Sequence, residues 1–245
     1  RDSFTYNDVE IFSPANIGTY SCKIKKIIDT IQNSKGIIFI YSQFIDSGLI
    51  PLALALEHHG YKRYDNKQLL KSANKVKPTT PLGNYIMITS DTGIGGLSSN
   101  IKKHLNVLNS VDNNQGQKIK IVLGSPAASE GLSFLRVREI HILEPWHNIN
   151  RIEQVIGRGL RNCSHKDLPI EERNVTIYYY ASITKPLSFI KSDSSKTDSD
   201  TITIETIDLK TYREASNKMY KIAAIEDVIK KAAIDCNLMK ENNYI

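Results

Sequence analysis

Three polar side chains fall into register in the stretch Gln154-Val-Ile-Gly-Arg-Gly-Leu-Arg161, where Gln154, Arg158 and Arg161 stand at i, i+4 and i+7. On a helix that begins near Ile149, this spacing lines an amide and two guanidinium groups along one face. A guanidinium donates in a planar fork that matches phosphate oxygens. Three such polar groups can therefore reach successive oxygens of a polyphosphate or of a phosphoryl group under attack. Gly157 and Gly159 leave the flanks of Arg158 open to a ligand or another backbone. The same spacing equally describes an exposed helix end whose arginines complement the helix dipole.

The arginines are not spread evenly. Six of the nine (Arg136, Arg138, Arg151, Arg158, Arg161 and Arg173) lie between positions 136 and 173. Acidic residues share that window, Glu139, Glu144, Glu153, Asp167, Glu171 and Glu172 among them, so surface ion pairs account for part of the clustering. A second segment, Ser125-Pro-Ala-Ala-Ser-Glu-Gly-Leu-Ser133, precedes it directly after an apolar run. Ser129 and Ser133 bring hydroxyls there, and Gly131 allows close backbone approach. Taken alone, this segment reads as a structural turn with Glu130 as a surface acid.

The elements that must position these groups follow from hydrophobic period. A short continuous apolar run at 36–42 reads as a buried parallel strand, and 85–90, 118–124, 137–143 and 174–180 read as further strands. Segments 21–32, 45–59 (closed by Gly60), 99–108 and 149–156 read as helices. Residues 1–20 read as an irregular lead-in, and 62–83 as mostly loop with a short helix. Strands alternating with helices predict an α/β fold: a parallel sheet with helices on both faces. In such sheets ligands bind beyond the carboxyl ends of strands, where 125–133 would lie. Past a polar low-complexity stretch at 192–200, Ile222, Ile225, Ile229 and Cys236 form a helical stripe expected to dock on the α/β domain, with a partner protein as the lesser alternative.

Together the segments resemble the motifs of the second RecA-like lobe of superfamily 2 helicases. Residues 154–161 match the pattern Q-x-x-G-R-x-x-R of motif VI, 125–133 resemble motif V, and 36–44 resemble motif IV. The similarity covers roughly residues 34–184. It is closer to the helicase-like ATPases of large cytoplasmic DNA viruses, of the poxvirus nucleoside triphosphate phosphohydrolase I and early transcription factor type. The residues carrying that narrower likeness are Glu144-Pro-Trp146, Ser164-His165, Glu172-Arg173 and Ala233-Ile-Asp-Cys236. The resemblance implies a RecA-like sheet with a C-terminal helical extension, divided as 1–33 lead-in and first helix, 34–184 RecA-like lobe, 185–210 loop and extended segment, and 211–245 helical extension. It implies Arg158 and Arg161 as arginine fingers and Gln154 as a γ-phosphate sensor. Glu130, Gly131, Ser133 and Gly157 would face the nucleotide cleft. Ser42, Gln43, Asp91, Thr92, Ser125 and Ser129 would lie along nucleic acid. ATP and Mg²⁺ are implied for the full-length protein. The implied partners are an N-terminal RecA-like lobe, a nucleic acid (DNA ahead of RNA) and viral transcription machinery, in the cytoplasm or virion. The alternative is a non-catalytic helicase-like scaffold.

The rest of the sequence narrows the chemistry. No G-x-x-x-x-G-K-[ST] phosphate loop and no D-E-x-H/D box occur, so the chain is expected to be inactive alone and to work as half of a motor. The three cysteines are widely spaced with no CxxC pair, which argues against a disulfide framework or a zinc ribbon, and no metal site is expected. No apolar run approaches the roughly 18 residues of a membrane span. The start, Arg1-Asp2-Ser3-Phe4, carries no signal peptide and reads as the beginning of a piece of something longer. The net charge of +6 is compatible with a polyanion partner.

Overall fold

A computed structural model describes residues 3–64, 68–71, 82–89, 100–129, 131–184, 187–188, 201–202 and 205–233. The chain divides into two units, Arg1–Glu144 with Glu153–Ser182, and Pro145–Ile152 with Ile183–Ile245. The first is built on a six-stranded, all-parallel sheet. Its strands are β1 (Ile37–Tyr41), β2 (Lys62–Arg63), β3 (Asn84–Ile88), β4 (Ile121–Gly124), β5 (Val137–Ile142) and β6 (Thr176–Tyr179), in the order β2-β3-β4-β1-β5-β6. Every residue of β1 and β4 is buried, as central strands covered on both faces require. The order reverses about β1, the kind of point beyond which α/β sheets place their ligands.

Helices alternate with these strands. Preceded by the short turn α1 (Ile17–Tyr20), α2 (Cys22–Ile31) is capped by Ser21, whose Oγ accepts from the Ile24 amide, and buries Ile24, Ile27, Ile28 and Ile31. Each fully buried isoleucine side chain stabilises the fold by about 2–3 kcal/mol. The segment expected at 45–59 is two pieces: a widened turn at Ile45–Leu49, then α3 (Ile50–His58) with Pro51 in its first turn. Gly48 in that turn has no room for a side chain, since a Cβ there would run into Ser42 Oγ. Helices α4 (Ile101–Leu108) and α5 (Ile149–Gly159) complete the pattern.

Three expectations change. The lead-in is tied down, because Ile17 is buried and the Phe4 amide donates to the Leu69 carbonyl in a strand-like bridge. Within 62–83 lies the edge strand β2, too short and too basic to show a period. It pairs with β3, and nearby the Glu57 carboxylate accepts from the Leu69 and Leu70 amides and from Tyr85 Oη at 2.6–2.9 Å. Burial pushes that carboxyl above its ordinary range, against the opposing pull of those donors and of Arg63. Helix α5 runs to Gly159, three residues beyond the expected end, because Gly159 lets it close on β5: a Cβ there would stand 3.1 Å from Val137 Cβ.

The second unit contains the short pair β7 (Leu187–Ser188) and β8 (Thr201–Ile202) and the 26-residue helix α6 (Ile207–Ala232), capped by Thr206. Thr211 and Ala215 are buried, but the stripe expected to dock stands open: Ile222, Ile225 and Ile229 are 43%, 62% and 63% exposed. Cys236 lies outside the described residues. Among the described residues, no helix is long and apolar enough to cross a membrane.

Candidate functional site

At the carboxyl edge of the sheet, β1 and β4 end side by side, Tyr41 opposite Gly124. Ser42 and Ser125 therefore leave the sheet as neighbours, the Ser42 amide donating to the Gly124 carbonyl and the Ser125 amide to that of Ile88. Both are fully buried. The Ser42 hydroxyl donates to Glu144 Oε1 at 2.8 Å and accepts from the Phe44 amide at 3.1 Å, so it shapes the turn after β1 and offers no exposed donor to a polymer. Gln43 beside it is half-buried. Gly124 has no room for a side chain, since a Cβ would meet Phe39 at 2.6 Å and Ala128 at 2.8 Å. This close packing turns the chain out of β4 into the loop at 125–135.

That loop is held against the end of α5. The Phe134 amide donates to the Arg158 carbonyl at 2.9 Å. Arg158, in the last turn of α5, sends Nη1 to the Leu132 carbonyl at 3.4 Å, while its Nε is buried without a hydrogen-bond partner. Arg161 lies two residues past the end of α5, off the helical face that its i+7 spacing predicted. A turn returns it to the loop, where Nη1 donates to Ser133 Oγ. Thus the loop at 131–133 and the two arginines come together, 26 and 28 residues apart in sequence. Gly157 faces open space, as does Gly131, whose φ of +68° is the left-handed conformation glycine adopts freely. Gln154 is exposed. Asp91, Thr92 and Glu130 lie outside the described residues, as does the side chain of Ser129.

Behind the loop lies a bonded layer that spacing did not reveal. Asn109 donates from Nδ2 to the Ser133 carbonyl at 3.0 Å and accepts from the Leu135 amide at 2.9 Å. Arg136, 1% exposed, donates to Asp167 at 2.8 Å and to the Asn109 and Ser110 carbonyls at 2.5 and 3.0 Å. Its φ of +59° is uncommon for a residue with a side chain. The Cys163-Ser-His165 turn completes the layer through His165, whose Nε2 donates to the Val137 carbonyl at 2.6 Å. The sequence signal for this layer was the arginine cluster itself, which carries no information on which arginine is buried.

Several aromatic and histidine side chains away from this loop are packed. Tyr178 and Tyr180 stack on buried His141, with ring centroids 4.6 and 5.8 Å away, while Tyr179 is exposed. His141 Nε2 bonds Glu139 Oε2, which also accepts from Ser34 Oγ. His58 is buried beside Tyr6, and His59 Nδ1 donates to the Ala55 carbonyl. In the second unit, Trp146 is half-buried under the Arg151 guanidinium, 4.7 Å from its ring centroid. Among the described residues, no group of three His, Cys, Asp or Glu is placed to hold a metal ion.

No family model matches the chain. It is 35% identical over 243 residues, 99% of its length, to an Acanthamoeba polyphaga mimivirus protein provisionally named an ATP-dependent RNA helicase, of which it covers 36%. It is 32% identical over 247 residues to a termination factor NPH-I homolog of African swine fever virus, covering 93% of this chain and 34% of that one. A protein provisionally named a helicase, from Invertebrate iridescent virus 3, is 31% identical over 94% of this chain and 22% of its own. The chain thus spans about a third or less of the curated relatives it matches. Among solved structures, the C-terminal part of the Fun30 ATPase domain aligns over 82% of this chain and 50% of that one, at 16% identity and a TM-score of 0.48.

Proposed function

The chain is a homologue of viral helicases over most of its length, and from that footing we propose that it forms the second RecA-like lobe of an ATP-driven nucleic-acid motor. One observation carries the reading: Arg158 and Arg161 converge on a single loop at the carboxyl edge of the sheet, each giving it a side-chain hydrogen bond. In the proposed cycle, ATP arrives on a phosphate-binding lobe outside this chain. Arg158 and Arg161 leave Leu132 and Ser133 for the γ-phosphate, whose charge they stabilise as it is transferred to water. Gln154, exposed four residues before Arg158, reads the same phosphate, and open space at Gly157 admits it.

The 125–135 loop links the two events. Its Ser133 is the resting partner of Arg161 and is released when the arginine moves to phosphate, so occupancy of the nucleotide changes the loop beyond β4, with Glu130 and Gly131 as the residues that the resemblance implies in the coupling. Nucleic acid lies along the outer side of that edge, at half-buried Gln43, with Asp91, Thr92 and Ser129 as the further contacts that the resemblance implies. Buried Ser42 and Ser125 hold the loop ends from within. The Mg²⁺ that accompanies ATP does not fit a donor set among the described residues, and its ligands belong to the other lobe. The lobe spans 34–184, followed by the 185–210 segment and a helical extension.

A second reading has its own support. The exposed stripe Ile222, Ile225 and Ile229 on α6 suits a scaffold that docks transcription machinery without turnover. One assay separates the two. ATP hydrolysis by the full-length protein is measured with single-stranded DNA, double-stranded DNA and RNA, beside Arg158→Ala. Polymer-stimulated turnover that the substitution abolishes, with nucleotide binding intact, supports the motor and identifies its track. Turnover equal to wild type in Arg158→Ala rejects the arginine assignment, and no turnover with any polymer favours the scaffold.

A further inference from the structure

Arg161 has no helix beneath it, so something else must fix where its guanidinium points. We propose that Ser164 and His165, braced by Arg136, form a strap that positions Arg161 for ATP hydrolysis; this deepens the reading above and rests on Arg161 being a phosphate-contacting arginine. The strap starts on β5. There the Val137 carbonyl accepts from His165 Nε2 at 2.6 Å, which fixes the ring with its proton on Nε2 and leaves Nδ1 as an acceptor. Ser164 Oγ, 2.8 Å away, donates to Nδ1 and is thereby oriented to accept from the Arg161 amide at 3.3 Å. The Ser164 amide closes the turn on the Arg161 carbonyl at 3.0 Å. Arg161 is held on both sides of its backbone by one buried serine, itself 4% exposed.

Arg136 locks the other end. Its amide donates to the Ser164 carbonyl at 3.1 Å, and its buried guanidinium joins Asp167 to the Asn109 and Ser110 carbonyls. The same Asn109 holds the Ser133 carbonyl, so the strap and the resting partner of Arg161 share one anchor. Two residues with side chains take left-handed backbone at the strap's ends, Arg136 at φ +59° and Cys163 at φ +58°. Such conformations persist where the surroundings over-determine them, as they do at sites that need fixed geometry. A displacement of about 1 Å at a catalytic group can lower turnover by about a hundredfold. None of these three residues needs to touch nucleotide, and each acts through Arg161.

The test uses the full-length protein and its ATP turnover with the stimulating polymer. Ser164→Ala is expected to lower kcat by roughly tenfold to a hundredfold with KM for ATP unchanged, and Ser164→Thr, which keeps the hydroxyl, to recover most of the loss. Should Ser164→Ala not fold, Arg136→Lys serves instead: it keeps a charge for Asp167 but cannot hold both carbonyls as well, and the same kcat loss is expected. A loss that only tracks the unfolded fraction in a thermal melt, or a loss shared by KM, overturns the strap. Arg161→Ala runs beside these variants. If it is inactive while Ser164→Ala turns over like wild type, the strap falls and the motor reading stands. If Arg161→Ala itself turns over like wild type, the underlying assignment fails and the strap with it.

Discussion

Arg136 and Arg158 border the same loop and do opposite things. Arg136 is buried, with both terminal nitrogens donating, to a carboxylate and to two carbonyls. Arg158 makes one long bond of 3.4 Å; the Nε of each arginine is buried without a partner, so the terminal nitrogens carry the difference. Removing a guanidinium from water is costly, so a buried one persists only where strong bonds offset it, and Arg136 has them. One held by a single long contact keeps its donors for a ligand that arrives. Residue type was the same in both cases; the number and quality of bonds separates the anchored arginine from the one proposed to meet phosphate.

The largest expected effect falls on the lightly held arginine. Arg158→Ala in the full-length protein should lower ATP turnover by about a hundredfold or more while leaving the melting temperature unchanged, as steady-state hydrolysis and a thermal melt will show. Loss of stability instead of turnover would erase the contrast between the two arginines. Arg136→Ala should add a loss of stability to its effect on turnover, lowering unfolding free energy by about 2–3 kcal/mol in urea titration. The substitution strands two carbonyls and leaves Asp167, itself partly exposed, without its cation.

A smaller effect tests the packed side of the sheet. Burial raises the Glu139 carboxyl, but hydrogen bonds from His141 and Ser34 and the nearby Lys120 charge outweigh it, so the group titrates below its ordinary value. Its folded pKa lies below the unfolded one. The stability it contributes is complete above the unfolded value and disappears as pH falls through the folded one. Glu139→Gln should therefore destabilise by about 1 kcal/mol at pH 7, with the gap to wild type closing below about pH 4 in denaturant titrations. The smallest effect belongs to α6. Ile225→Ser should change stability by less than about 0.5 kcal/mol, because the side chain is 62% exposed; a larger loss in a melt would mean that the stripe is covered in solution.

Legibility in the sequence followed the range of the interactions. The five segments read as strands at 36–42, 85–90, 118–124, 137–143 and 174–180 each coincide with one to within a residue or two; the central strands β1 and β4 are the clearest, because a strand covered on both faces is continuously apolar. Edge strand β2 did not, since two basic residues bonded on one side have no pattern to show. Gln154 and Arg158 were readable as one helical face. Arg161 was not, because helix ends are set by contacts such as Gly159 against Val137, not by the spacing of polar residues. Ser42 looked like an exposed donor beside a strand. Its hydroxyl faces Glu144, 102 residues away, which no local reading could supply.

The sequence by itself determined the inventory: an alternating set of strands and helices, a glycine- and serine-bearing loop after one strand, and a helix ending in arginine. These follow from periodicity and backbone preference, which act over a few residues. The tertiary structure alone decided which groups meet. The order β4-β1-β5 brings the 131–133 loop to Arg158 and Arg161, turns Arg136 inward onto Asp167, and sets the Ser164–His165 turn beneath Arg161. Each pairing needs residues 26 to 31 positions apart within hydrogen-bond reach, and that distance is fixed by how the sheet is ordered, not by any pattern along the chain.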